Sequence, residues 1–229
     1  MPSLMEIQLD ALFTRSPDGD LIATRDPSPR PAPRVFLGRS AEGNAWAVHR
    51  DLDPGTKLEL ERLLAAEPRW AAASLAPAPG CRARVCELLS SVEAEHRGPA
   101  YVLGAELPRD DRARELRADE RARWLDAFPW LAEEFGAVAP VAIAFEAGEP
   151  AAICHSPRGL TAVAAEAGVE TLEPFRGRGL ATAAVACWAR AVQRKGRLAL
   201  YSTSWENPAS QGVARRLSAH LYGEDWHVA

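Results

Sequence analysis

The sequence predicts an α/β protein built on a mixed α+β sheet, with a regular C-terminal half and a smaller α+β region before it. Two observations predict it. From residue 141 onward, apolar runs and helical patterns follow in the order strand, strand, strand, helix, strand, helix, which packs helices on a mixed sheet. Before residue 104, turn formers cut the chain into short elements. Pro17-Asp18-Gly19-Asp20 and Ala41-Glu42-Gly43-Asn44 each lie between apolar runs, as hairpin turns do.

The elements can be taken in order. Leu12-Phe13 and Leu21-Ile22-Ala23 flank the first turn, and Pro27 to Pro33 reads as an extended connector. Val35 to Gly38 and Ala45 to Val48 form the second hairpin. Leu60, Leu63 and Leu64 fall on one face of a helix over 58–66, and Val85, Leu88, Leu89 and Val92 on one face of a second. Ala100 to Leu103 is a strand. The run of Arg with Asp and Glu over 104–122 reads as a solvated helix or a linker. A boundary there gives two parts, 1–108 and 109–229. Trp124, Phe128, Trp130 and Phe135 lie on a helix broken at Pro129 and read as core. Strands follow at 141–145, at 151–155 and within 161–172, then a buried helix over 182–194, a strand at 198–201 and a helix from Pro208.

The composition excludes several classes of function. Of 229 residues, 47% are apolar and 25% charged, so a sizeable core is expected. The net charge of −4 lacks the basic excess of a nucleic-acid binder. No apolar run is long enough to span a bilayer and the N-terminus has no signal-peptide pattern, so no membrane partner and a cytoplasmic location are expected. The four cysteines form no C-x-x-C pair, and no metal site is expected. G-x-S-x-G and Walker patterns are missing, and Thr182 stands where a dinucleotide fold would place its third glycine.

The chemistry lies in the segment Val169 to Thr182. A strand runs through Pro174 into Arg176-Gly177-Arg178-Gly179-Leu180-Ala181-Thr182 and directly into a helix. First-turn amides lack intrahelical partners, and the helix dipole adds positive potential, so such a junction is suited to a diphosphate. Gly177 and Gly179 let a ligand approach the backbone. Arg176 and Arg178 offer charge-assisted contacts.

This segment resembles motif A of the GNAT superfamily of acyl-CoA-dependent N-acyltransferases, Q/R-x-x-G-x-G/A, filled here by Arg176, Gly179 and Ala181. Tyr201 to Ser210 resembles its motif B, a strand ending in an Asn that opens a helix, with Asn207 and Ser210 in place. The resemblance covers about residues 120–229 and implies a GNAT-type fold there. The region before it is only loosely similar to the divergent first halves of two-part GNAT proteins. The resemblance implies direct transfer of an acetyl group from acetyl-CoA to a primary amine, on a small molecule or a protein. It places the thioester in a V-shaped split between the strand ending at Leu172 and the strand around 198–201. A backbone N–H near Glu170, Thr171 or Leu172 would polarise the carbonyl. Backbone amides of Arg178 to Ala181 would hold the diphosphate, and Asn207 the pantetheine arm. A homodimer is compatible with this reading.

A general base is needed to take the amine proton. Glu166 and Glu170 share one strand face with Gly168 and Leu172 by alternation, and His155 lies on the neighbouring strand. Each also has an ordinary reading as part of a strand face. The sequence departs from the family at Ala214, where many members carry a Tyr that protonates the leaving thiolate; Tyr201, Ser202, Ser210 and Tyr222 are the available substitutes. That departure leaves a second reading open, a GNAT-fold module that binds acyl-CoA without catalysis. In a third, the N-terminal half selects a protein substrate.

Overall fold

A computed structural model describes residues 2–70, 77–90, 92–158 and 160–229. In chain order the elements are α1 (Leu4–Leu12), β1 (Phe13–Arg15), β2 (Leu21–Thr24), β3 (Val35–Ser40), β4 (Ala45–Val48), α2 (Pro54–Ala66), α3 (Arg82–Leu89) and β5 (Glu95–Val102). Then come β6 (Ala113–Glu115), α4 (Leu131–Glu134), β7 (Ala142–Glu146), β8 (Glu149–Arg158), β9 (Ala164–Thr171), α5 (Leu180–Gln193), β10 (Leu198–Ser202), α6 (Pro208–Arg216) and β11 (His220–Val228).

The chain forms two compact units. The first comprises Met1–Ala100, Ser202–Asn207 and Leu221–Ala229; the second comprises Tyr101–Tyr201 and Pro208–His220. Both units are therefore discontinuous in sequence, unlike the single break after residue 108 expected above. The reason is β11, which pairs antiparallel with β3 from Gly223↔Ser40 to Val228↔Val35. Alternation within one strand carries no information about its partner.

In the first unit the strand order is β4-β3-β11-β5. Val35, Leu37, Trp226 and Val228 pack with Leu60, Leu64, Val85 and Leu89 of α2 and α3. Helix α1 covers the other sheet face and was not legible as a helix in the sequence. It begins at a capping box in which Ser3 and Glu6 satisfy one another's backbone N–H. Its buried stripe is Met5, Gln8, Leu9 and Leu12, and the polar Gln8 interrupts the apolar signal. The side chain of Met5 fills the space that a Cβ at Gly38 or Gly223 would need.

In the second unit the order is β10-β9-β8-β7-β6, antiparallel except for the parallel pair β9–β10. Helix α5 is buried on most of its surface, with Trp188 wholly inside. Ser156 on β8 accepts the Trp188 indole N–H at 3.1 Å, which fixes the face of β8 that meets α5. The opposite face lies under the segment 116–138, where Phe128, Leu131, Phe135 and Val138 pack with Ile143 and Ile153. The charged run thus resolves into the short strand β6 and a 3-10 helix over Ala118–Trp124, and the long aromatic helix into the single turn of α4. Pro129 withholds a backbone donor there.

Candidate functional site

The strand β9 passes through a 3-10 turn, Glu173–Phe175, into the loop that starts α5. Gly177 and Gly179 have φ of +78° and +80°, the left-handed region that suits glycine. Gly179 is the N-cap of α5 and offers no side chain to its first turn. The N–H groups of Leu180, Ala181 and Thr182 consequently face outward without a carbonyl one turn back. A Cβ at Gly177 would meet nothing within 4 Å, and one at Gly179 only the tip of Arg112, at 4.0 Å. The loop is an open cradle of backbone donors at the positive end of a 14-residue helix, and these residues fit the phosphates of a coenzyme.

The arginines of the loop are not free arms. Arg176 Nε reaches the Thr171 carbonyl at 3.4 Å, and Arg178 donates to the Pro174 carbonyl at 3.1 Å. Arg178 also pairs with Glu146 at 3.5 Å.

The parallel pairing of β9 with β10 runs only from Leu198↔Ala164 to Leu200↔Glu166, while β9 continues to Thr171. Leu172 donates its N–H to the Ala151 carbonyl at 2.9 Å. Since alternate residues of an antiparallel ladder bond to opposite neighbours, Glu170 and Leu172 spend their main-chain groups on β8. Ala167, Val169 and Thr171 direct theirs to the β10 side, beyond the last pair. Of the backbone N–H groups singled out between 170 and 172, Thr171 is the one on that side. Val169 joins it, a residue that sequence reasoning missed.

The three candidate bases share one sheet face. Cross-strand pairs put Ile153 beside Glu170 and His155 beside Gly168, and alternation adds Glu166. His155 therefore sits between the two carboxylates along the neighbouring strand. Glu166 is buried and Glu170 exposed. The His155 ring lies 4.2 Å from that of Trp130, centroid to centroid. Trp130 thus belongs beside the candidate bases as well as to the core in which the sequence placed it.

Burial pushes His155 down from 6.5 to about 4, so its imidazole is neutral at neutral pH. Its pKa in the fold lies below that in the unfolded chain, which therefore binds the proton first as pH falls. The stability contribution is present above pH 6.5 and is lost progressively down to about pH 4, up to about 3 kcal/mol. His155→Gln is expected to flatten the fall of the thermal midpoint over that interval, as measured by melts across a pH series.

The other hydroxyls and thiols are placed as follows. Tyr201 is buried, its hydroxyl 2.6 Å from Ser210 Oγ, and burial pushes it up to about 12. Tyr222 belongs to the first unit and donates to Gln8 at 2.8 Å. Ala214 is buried in α6. Asn207 stands immediately before α6, at the edge of the first unit, and Ser210 within that helix. All four cysteines are free thiols. Among the described residues, no group of His, Cys, Asp and Glu is placed to hold a metal, and no helix is long and apolar enough to cross a membrane. A cleft of about 740 Å3 lies at the C-terminal end of α5, lined by Arg109, Asp111, Arg190 and Arg194. Asp110 also lines it, and its Arg190 and Arg194 already pair with the Pro108 carbonyl and Glu115.

No family model and no curated protein matches the chain. Solved structures do. A GCN5-related N-acetyltransferase-like protein from Streptococcus suis superposes with a TM-score of 0.50 at 15% identity, over 86% of this chain and 85% of that one. An acetyltransferase of the GNAT family from Colwellia psychrerythraea gives 0.47 at 11% identity, over 93% and 83%. A GNAT-family protein from Novosphingobium aromaticivorans gives 0.48 at 17% identity; there the match spans 60% of this chain and 65% of the other's length. The Streptococcus suis likeness carries the assignment: this chain has the GNAT fold, a mixed and mostly antiparallel sheet with helices packed on it.

Proposed function

We propose that the chain is an N-acetyltransferase that passes an acetyl group from acetyl-CoA directly to a primary amine. One observation carries the reading: the uncapped, glycine-built start of α5 follows directly on a strand whose main-chain donors extend past its parallel partner. The coenzyme supplies the activated acetyl thioester. The backbone N–H groups from Arg178 to Ala181, with Thr182 behind them, grip its diphosphate. The N–H of Thr171 or Val169 faces the side on which the carbonyl would need polarising, an effect commonly worth about 3–4 kcal/mol. Asn207 and Ser210 are assigned to the pantetheine arm by the sequence pattern. Glu166, Glu170 and His155 share the face on which an amine would shed its proton. His155 enters that role already neutral. The acceptor is a small-molecule or protein amine, and the net charge of −4 mildly favours a cationic one.

One observation favours the non-catalytic reading. Ala214 offers no proton to a leaving thiolate, and the Tyr201 hydroxyl, pushed up to about 12 by burial, is a reluctant donor. Calorimetry with acetyl-CoA, followed by a thiol-release assay over a panel of amines, separates the two. Binding with release on at least one amine is expected. Binding without release on any amine supports the module, and no binding at all removes both readings.

A further inference from the structure

Two charged side chains outside the glycine loop reach its mouth, and neither was singled out in the sequence. Arg112 comes from the charged run before β6. Asp110 clamps its guanidinium through two bonds, at 3.0 and 2.8 Å, and the backbone N–H of Phe145 on β7 donates to the Arg112 carbonyl at 2.8 Å. The guanidinium is thereby held over the loop. Its Nη1 lies 3.4 Å from the Arg178 carbonyl, and its Nη2 lies 4.0 Å from where a Gly179 side chain would begin. Asp110 keeps it fully charged, raising it above the usual range with a smaller contribution from Glu146.

Glu146, the last residue of β7, completes the arrangement. One carboxylate oxygen lies 3.5 Å from Arg112, and the other 3.5 Å from Arg178. A carboxylate that gives one oxygen to each of two guanidinium groups makes the contacts that a phosphate would make. Both distances exceed a good hydrogen bond, and both arginine side chains are about half exposed, at 44% and 51%. Such a pair is loose and readily exchanged.

We propose that Arg112 is a phosphate ligand of the coenzyme site and that Glu146 is its resident competitor, occupying Arg112 and Arg178 until a coenzyme phosphate displaces it. This rests on the coenzyme reading above. The four groups Asp110, Arg112, Glu146 and Arg178 sum to zero charge. Removing the Glu146 charge therefore leaves one net positive charge facing the anion, and binding tightens. Removing the Arg112 charge leaves the site negative, and binding weakens.

The test is calorimetry of the full chain with coenzyme A, 3′-dephospho-coenzyme A and phosphate-free pantetheine. Arg112→Gln is expected to weaken coenzyme A binding about tenfold, and Glu146→Gln to tighten it about threefold. Pantetheine binding should be unchanged in both variants. If dephospho-coenzyme A shows the full Arg112 effect, the diphosphate is the partner; if it shows none, the 3′-phosphate is. Both residues are partly exposed, so thermal midpoints close to that of the unmodified chain are expected. Coenzyme binding by Arg112→Gln within twofold of the unmodified chain, or weakened binding by Glu146→Gln, overturns the inference and leaves the coenzyme reading intact. No binding by the unmodified chain overturns both.

Discussion

Replacing Gly179 with Val is expected to weaken coenzyme A binding by at least about a hundredfold while the chain still folds. Gly179 has φ +80° and ψ 3°. A β-branched residue resists that region, at a cost of about 1–2 kcal/mol. It either strains the cap or rotates the peptides that aim the first-turn N–H groups. Protein packing offers no objection, since only the flexible end of Arg112 comes near a Cβ there. The new side chain would instead stand in the space through which an anion reaches the backbone. Gly196 supplies the control. It has φ +72° and follows the other end of the same helix. Gly196→Val should cost similar stability and leave coenzyme binding unchanged. Calorimetry paired with thermal melts reads both effects, and equal affinities in the two variants would remove the cradle from the binding site.

The contrast between these glycines shows what was legible before the structure. Gly177 and Gly179 stand out in sequence because they interrupt a strand-to-helix junction, and the chemistry of such a junction is local. The faces of β9 were legible for the same reason, since alternation places Glu166 and Glu170 together without knowledge of any partner. What depended on tertiary pairing was hidden. Whether Thr171 or Leu172 presents its N–H to the β10 side follows from the register with β8, which no single strand encodes. Arg112 lay in a run that resembles any solvated charged face, and its position over the loop comes from its backbone bond to β7. The helix α1 was masked by Gln8. That residue is buried to reach Asp225 on β11, at 2.6 Å, from 217 positions away.

Replacing Arg39 with Met is expected to destabilise the first unit by about 3–5 kcal/mol, the largest stability effect foreseen here. Arg39 on β3 stands directly opposite Glu224 on β11, and its side chain is 6% exposed. It bonds to Glu224 and, at 3.0 Å, to Glu67; these two carboxylates are 0% and 3% exposed. Burial alone would raise the Glu67 carboxyl. The N–H groups of Cys81 and Gly80, with Arg39, outweigh it and hold the group below its usual value. Glu224 also accepts the Trp205 indole N–H at 2.6 Å. With Arg39 gone, two buried carboxylates lose the cation they share. Glu67 keeps the Gly80 and Cys81 N–H bonds, and Glu224 keeps the Trp205 N–H and Arg97 at 3.8 Å, so desolvation of both is then only partly offset. Without Arg39 the Glu67 carboxyl moves upward in the fold, because burial raises it and one of the groups that lower it is gone. The defect should accordingly be worst at neutral pH and ease in mildly acidic buffer, the reverse of the His155 effect. Adding Glu67→Gln and Glu224→Gln to Arg39→Met should recover part of the loss, because neutral amides need no buried cation. Urea titrations at two pH values, with hydrogen exchange of the β3 and β11 amides as the local readout, test this. A loss below about 1 kcal/mol, or one that does not depend on pH, would show that the buried ions are interchangeable with apolar packing.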